Sequence, residues 1–126
     1  MGKIVITGAS SEIGLAIAKR LSESGKPMVL HCHRNSIALE SWRGVADIVK
    51  ADFTKGEELE AFIAGLNDVD TLVYASAVTD SGLIPQIDEN SLRDTVQVNI
   101  TAYTKICQAI IPPMCAKRGG TIIGIS

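Results

Sequence analysis

Aromatic side chains make up only 4% of the 126 residues, namely two Phe, two Tyr and one Trp. That is too few for the stacking platform on which single-stranded nucleic acids are held. Neither sign of charge dominates. Twelve Lys and Arg stand against fourteen Asp and Glu, a net charge of −2 without a basic cluster. This argues against nucleic acid or an anionic membrane surface as the partner. Cysteine is scarce and odd in number: Cys32, Cys107 and Cys115, with no C-x-x-C pair. A disulfide framework or a zinc knuckle does not fit that count, and reduced thiols in a cytoplasmic setting are expected. No apolar run approaches the roughly 20 residues that cross a bilayer. Met1-Gly2-Lys3-Ile4-Val5-Ile6 leads straight into a strand-like segment, without the charged region, apolar stretch and cleavage site of a secretory leader. Ile6 also breaks the myristoylation pattern.

What is present is apolar and rhythmic. Hydrophobic residues are 46% and charged ones 21%, with a mean hydropathy of +0.23. The length suggests one domain, residues 1–126. Parallel strands covered on both faces explain part of the high hydropathy, because such strands are apolar throughout; a half-covered core would explain the rest. Short apolar runs alternate with amphipathic ones. Strands are expected at Lys3–Thr7, Pro27–Cys32, Asp47–Ala51, Thr71–Tyr74 and Thr121–Ser126. A helix is expected over Ser11–Ser24, with Ile13, Ile17 and Leu21 on one stripe and Gly25 as its stop. A short helix should occupy Ile37–Trp42, and another Lys55–Leu66, with Leu59, Phe62, Ile63 and Leu66 inward. Thr79–Glu89 reads as a polar loop. Ser91–Lys117 reads as one long helix in which Val96, Ile100, Tyr103, Ile106, Cys107 and Ile110 share a face, and Pro112-Pro113 should kink or break it. Strand and helix in strict alternation, with no hairpin signal, imply a parallel sheet with right-handed crossovers.

The first strand runs into Thr7-Gly8-Ala9-Ser10-Ser11-Glu12-Ile13-Gly14 and then a helix. Such a turn gathers free backbone N–H groups and the positive helix end at one point, which makes an anion site. Gly8 permits the sharp turn, Gly14 permits close helix–strand packing, and either Ser10 or Ser11 can cap the helix. An ordinary strand-to-helix turn is the alternative. The segment resembles the T-G-x-x-x-G-x-G loop of short-chain dehydrogenases/reductases. The departure is Glu12, where that family carries its middle glycine.

Further segments extend the resemblance along the whole chain. After the second strand comes His31-Cys32-His33-Arg34-Asn35, without the acidic residue that accepts hydrogen bonds from an NAD ribose. His33 and Arg34 suit a 2′-phosphate instead, so NADP(H) is favoured over NAD(H); a solvated basic loop is the alternative. His31-x-His33 also has the look of a metal pair, but no further ligand cluster accompanies it and no metal is expected. Ala51-Asp52-Phe53-Thr54 resembles the family's adenine-binding segment, with Asp52 as a helix cap the competing reading. Val73-Tyr74-Ala75-Ser76-Ala77 stands where the family reads N-N-A-G; the asparagines are missing, yet Ala75, Ser76 and Ala77 are small enough for close approach of a cofactor.

The resemblance implies a Rossmann-type, doubly wound α/β fold of about five strands in the order 3-2-1-4-5, truncated relative to the family. It implies a cofactor path over Gly8, Ser10, Ser11, Ile13, Gly14, His33, Arg34, Asn35, Asp52, Phe53, Ala75, Ser76 and Ala77. Asn99 matches the family's helical Asn, whose backbone carbonyl holds a water in the proton relay; a helix-interior amide is the plainer reading. The implied activity is hydride transfer to or from a carbonyl or alcohol, with the oxoacyl-thioester reductases the nearest in look, and the family form implies a homo-oligomer. That chemistry also needs Ser, Tyr and Lys. Ser126 lies at or beside the Ser position. No Tyr is followed four residues on by Lys: Tyr74 leads to Val78, and Tyr103 to Cys107. These 126 residues are therefore expected to bind a dinucleotide weakly and to turn over nothing. The alternative is a non-catalytic dinucleotide-binding or interaction module completed by another chain.

Overall fold

Strands that are apolar on both faces need helices on both faces, and this demand shapes the molecule. The computed structural model describes residues 2–78 and 82–126. Its elements are β1 (Lys3–Thr7), α1 (Glu12–Ser22), β2 (Met28–Cys32), a 3₁₀ turn (Ile37–Trp42), β3 (Asp47–Lys50), α2 (Gly56–Ala64) and β4 (Val69–Tyr74). A second 3₁₀ turn (Ile84–Gln86), α3 (Glu89–Val96), a π-helical turn (Gln97–Ala102), α4 (Tyr103–Ala116) and β5 (Thr121–Gly124) follow. The five strands form one sheet in the order β3-β2-β1-β4-β5, every pairing parallel. This is the doubly wound Rossmann-type architecture expected. The crevice between the C-terminal ends of β1 and β4, where the strand order reverses, is the place where such sheets bind ligands.

One face of the sheet packs Val5, Val29 and Leu72 against Leu59 and Phe62 of α2 and against Val98, Ala102, Ile106, Ile110 and Met114 of the long helical segment. The other packs Ile4, Ile6, Leu30 and Cys32 against Ala18 of α1 and Leu39 of the first 3₁₀ turn. Each large aliphatic side chain so buried contributes on the order of 1.5–3 kcal/mol.

Several expectations are corrected. Ile13 does not join the inward stripe of α1. Gly14 and Ala18 face the sheet, and Ile13 is exposed. Gly14 lies so close that a Cβ there would sit 2.3 Å from the Gly8 carbonyl oxygen, so the helix approaches on its smallest residues. Val96 and Ile100 also turn outward. The inward residues Val98, Ala102, Ile106, Ile110 and Met114 recur in steps of four. On an α-helix each such step drifts by about 40°; the wider π turn takes up that drift at its N-terminal end. The break expected at Pro112-Pro113 does not occur, and α4 runs through both. The carbonyls those prolines leave unbonded belong to Gln108 and Ala109, both exposed, where water can serve them. The irregularity falls at residues 97–102 instead. Of the loop expected over Thr79–Glu89, residues 79–81 lie outside the described residues, and Glu89 opens α3.

Candidate functional site

The phosphate-type loop forms at the switch point. Gly8 has φ +65°, a left-handed conformation that favours glycine, and a Cβ on it would lie 2.7 Å from the Ala75 carbonyl oxygen. The turn after β1 and the segment after β4 therefore touch backbone to backbone. Thr7 reinforces the contact from below. Its buried hydroxyl oxygen accepts from the N–H groups of Ala75 (3.2 Å) and Ser76 (3.4 Å). Ser11, not Ser10, caps α1: its Oγ accepts from Gly14 N–H (3.0 Å) and donates to the Gly8 carbonyl (2.9 Å). Glu12 is exposed in the first turn of the helix.

Below the loop lies His31, only 2% exposed. The Gly8 N–H donates to its Nδ1 (3.1 Å), and its Nε2 pairs with the Ala51 carbonyl (2.8 Å). An N–H can donate only to an unprotonated nitrogen, so the ring is the neutral Nε2–H tautomer. Burial agrees, lowering the His31 pKa to about 4. The imidazole stacks on Phe53 at 4.1 Å, with Phe62 edge-on to both rings. Because both ring nitrogens are engaged, His31 has none left for a metal. Among the described residues no group of three or more His, Cys, Asp and Glu is placed to hold one.

At the ends of β2 and β3, Asp52 stands between the side chains of His33 and Arg34. Its Oδ1 accepts from Thr54 N–H (3.0 Å) and Thr54 Oγ1 (2.6 Å), while Oδ2 lies 3.6 Å from both His33 Nε2 and Arg34 NH2. Burial alone would raise the Asp52 pKa. The Thr54 hydrogen bonds, with His33 and Arg34 behind them, outweigh it and hold the carboxyl below its ordinary value. Asp52 does not cap α2, whose N-cap is Lys55. The Arg34 side chain is 77% exposed, and its distance to Asp52 is longer than a charge-assisted hydrogen bond, so it can be re-aimed toward a ligand. Asn35 accepts from Ile37 N–H (2.9 Å) and so starts the 3₁₀ turn.

Two clefts open along the C-terminal ends of the strands. The first, about 180 Å³, has Gly8, Ser10, Ser11, His33 and Phe53 at one end and Ala75–Val78 at the other. The second, about 510 Å³, lies between Tyr74, Asn99 and Tyr103 on one side and Gly124–Ser126 on the other. They share Ser76 and Ala77, which makes them two ends of one trough. At that junction the Ser76 Oγ is buried without a hydrogen-bond partner among the described residues. Such an atom is satisfied when a polar ligand arrives.

The π turn organises the second cleft. The Tyr74 hydroxyl donates to the Val98 carbonyl, and burial pushes the Tyr74 phenol well above its ordinary pKa, so it stays a donor. The Asn99 amide makes a double bridge to Val78, accepting from its N–H (3.0 Å) and donating to its carbonyl (2.9 Å). Tyr103 stacks on Tyr74 at 4.5 Å, and a Cβ on Gly124 would meet its hydroxyl at 2.8 Å.

Every candidate residue except Ile13 and Asn35 thus lines the trough, braces it or stands at its mouth. His31, Thr7, Tyr74 and Tyr103 were not read as site residues from sequence. A histidine inside an otherwise apolar strand and a tyrosine at the end of a buried one are signals that could have found two of them, since buried polar groups must be paired.

A parallel sheet with a glycine turn at its switch point and an unpaired hydroxyl in the crevice defines a doubly wound α/β protein with a ligand crevice at that point. Gly8 and Gly14 let backbone pack on backbone around the turn, and the unpaired Ser76 hydroxyl in the crevice suits a polar ligand. The sequence profile described as short chain dehydrogenase matches residues 2–126, and the chain belongs to that family. It is 30% identical over 132 residues to the 3-oxoacyl-[acyl-carrier-protein] reductase FabG of Vibrio cholerae, covering 98% of this chain and 54% of that protein. Against the same-named protein of Chlamydia trachomatis the identity is 26%, covering 97% and 54%. The chain thus spans about half the length of these relatives. Its fold matches the bulky-bulky ketone specific alcohol dehydrogenase of Comamonas testosteroni with a TM-score of 0.91 at 24% identity, covering all of this chain and 55% of the other. It matches a short-chain dehydrogenase from Sphingobium yanoikuyae in complex with NADPH with a TM-score of 0.89 at 24% identity, covering 100% and 54%. Among the described residues no helix is long and apolar enough to cross a membrane.

Proposed function

We propose that these residues form the dinucleotide-binding part of an NADP(H)-dependent short-chain dehydrogenase/reductase acting on a carbonyl or alcohol, with 3-oxoacyl thioesters the favoured substrate class. The observation that carries the reading is the Gly8–Gly14 turn at the switch point, opening onto a trough with an unpaired buried hydroxyl. The thioester preference rests on the two acyl-carrier-protein reductases among the relatives. When bound, the nicotinamide supplies the hydride. The chain's own part is to bind and orient. Gly8, Ser10, Ser11, Ile13 and Gly14 form the pyrophosphate end, and His33, Arg34 and Asn35 the 2′-phosphate end. Asp52 and Phe53 border the adenine; Ala75, Ser76 and Ala77 give close backbone approach. Asn99 sits in the π turn, where a loosened helical backbone suits a carbonyl that holds a relay water. The 126 residues contain no Tyr-x-x-x-Lys, so by themselves they bind and do not turn over. Three free cysteines support a cytoplasmic setting, and the family form supports homo-oligomeric assembly.

Calorimetric titration of the chain with NADP⁺ and NAD⁺ tests this. NADP⁺ should bind more tightly, and Arg34→Ala should weaken NADP⁺ by about tenfold while leaving NAD⁺ within about twofold. Equal losses for both would remove the 2′-phosphate role, and the absence of binding by either would remove the dinucleotide.

A second reading, a non-catalytic module completed by another chain, is favoured by β5, which among the described residues pairs only with β4, and by the exposure of Ile123 in it and Ile125 just after it.

A further inference from the structure

The Gly8 N–H is already engaged: it donates to the Nδ1 of His31, a side chain that itself borders the first cleft. Three further contacts act on the same turn: Ala9 N–H donates to the His31 carbonyl (2.8 Å), Ser11 N–H to the Gly8 carbonyl (3.2 Å), and Ser11 Oγ to that carbonyl as well (2.9 Å). Gly14 and Leu15 N–H are satisfied by Ser11. The amides without a partner among the described residues are then those of Ser10, Glu12 and Ile13. An anion at this helix end meets those three, and Gly8 is not among its donors.

We infer that His31 is a positioning residue for the pyrophosphate loop: its Nδ1, by accepting the Gly8 N–H, fixes the Gly8 turn so that the Ser10, Glu12 and Ile13 amides face the ligand. The inference rests on the dinucleotide reading. The geometry supplies the reasons. His31 reaches the loop from β2, the strand beside β1, and is braced on its far side by Ala51 beyond β3. Phe53 covers its face, so the ring has one orientation. Gly8, with no side chain and a left-handed φ, has many alternative conformations to visit. A buried acceptor aimed at its N–H selects one of them before the ligand arrives, and pre-organisation of this kind shows as affinity.

A ring that merely fills the core would leave the same contacts in place, so the test must separate the two nitrogens. The Asn amide oxygen in His31→Asn stands near Nδ1 and keeps the acceptor for Gly8 while losing the donor to Ala51. His31→Gln reaches toward Nε2, keeping the Ala51 bond and losing the Gly8 acceptor. Both remove the aromatic ring, and each leaves one backbone partner unpaired, so a purely structural role costs both alike. The expected result is an NADP⁺ affinity within about threefold of wild type for His31→Asn and weaker by about tenfold or more for His31→Gln. Hydrogen exchange of the Gly8 amide, measured without nucleotide, should remain protected in wild type and His31→Asn and become fast in His31→Gln. Equal affinities, or equal Gly8 exchange, in the two variants would overturn the inference. If wild type binds no NADP⁺, the dinucleotide reading fails, while the exchange contrast still decides what His31 does to the loop. If neither variant folds, ¹⁵N spectra of the wild-type imidazole decide: an unprotonated Nδ1 is required, and a protonated one sinks the assignment.

Discussion

His31 shares β2 with Met28, Val29, Leu30 and Cys32, and its burial takes it out of the range in which histidine ordinarily titrates. Desolvation is the main cause, the nearby His33 charge adds to it, and the bond to Ala51 opposes both. The sign of the consequence follows from linkage. The unfolded chain takes up this proton near its ordinary pKa of about 6.5, and the folded chain only near 4, so the unfolded state binds more protons between those values. Stability from this group is fully present above about pH 6.5 and is lost as pH falls toward 4, by about 3 kcal/mol in all. Asp52, also held below its ordinary value, acts in a more acid window. Urea unfolding at pH 7, 5.5 and 4.5 should show this decline in wild type and a much shallower one in His31→Asn. Parallel pH profiles would mean that His31 is not buried neutral.

At the scale of the element, the long helical segment departs from its simple pattern in a useful place. The π turn at 97–102 lets the inward stripe stay inward, and at the same turn the Val98 carbonyl is bonded by Tyr74 rather than left to the helix alone. Tyr74→Phe removes that donor and leaves a carbonyl of a buried residue short of its partner, at a cost of about 1–3 kcal/mol. The expected outcome is a lower urea midpoint with an unchanged slope, together with faster exchange of the Val78 amide, because Asn99 in the same turn holds it. If midpoint and Val78 exchange both match wild type, the hydroxyl does not brace the turn. The helix passes through Pro112 and Pro113 for a related reason: solvent, rather than a neighbouring backbone, meets the carbonyls they free.

For the whole molecule, the sheet is closed on both faces near β1 and thinly covered near β5. Thr121–Gly124 is exposed or half-buried along its length, and its outer edge has no strand beside it among the described residues. An open edge of this kind presents unpaired N–H and C=O groups on which another strand can add. The apparent mass on size exclusion should therefore rise with concentration, and Ile123→Lys should return it toward the monomer. A mass independent of concentration in the wild-type chain would show that the edge is inert.

The strand order came only from the family resemblance; what sequence alone determined was the alternation of strands and helices, the parallel sheet it implies, and the glycine turn that opens the trough. Those features are local: they depend on periodicity, on residues that stop helices, and on the backbone freedom of Gly8 and Gly14. Tertiary structure decided what lay beyond the reach of a window along the chain. It paired Asp52 with His33 and Arg34, set His31 beneath Gly8 across a 23-residue separation, and brought Tyr74 to Val98. It also turned Ile13, Val96 and Ile100 outward, since which stripe of a helix is buried depends on the surface it meets and on one widened turn. Hydrogen bonds between segments far apart in the chain leave no periodic trace, and only the packed sheet brings their partners within reach.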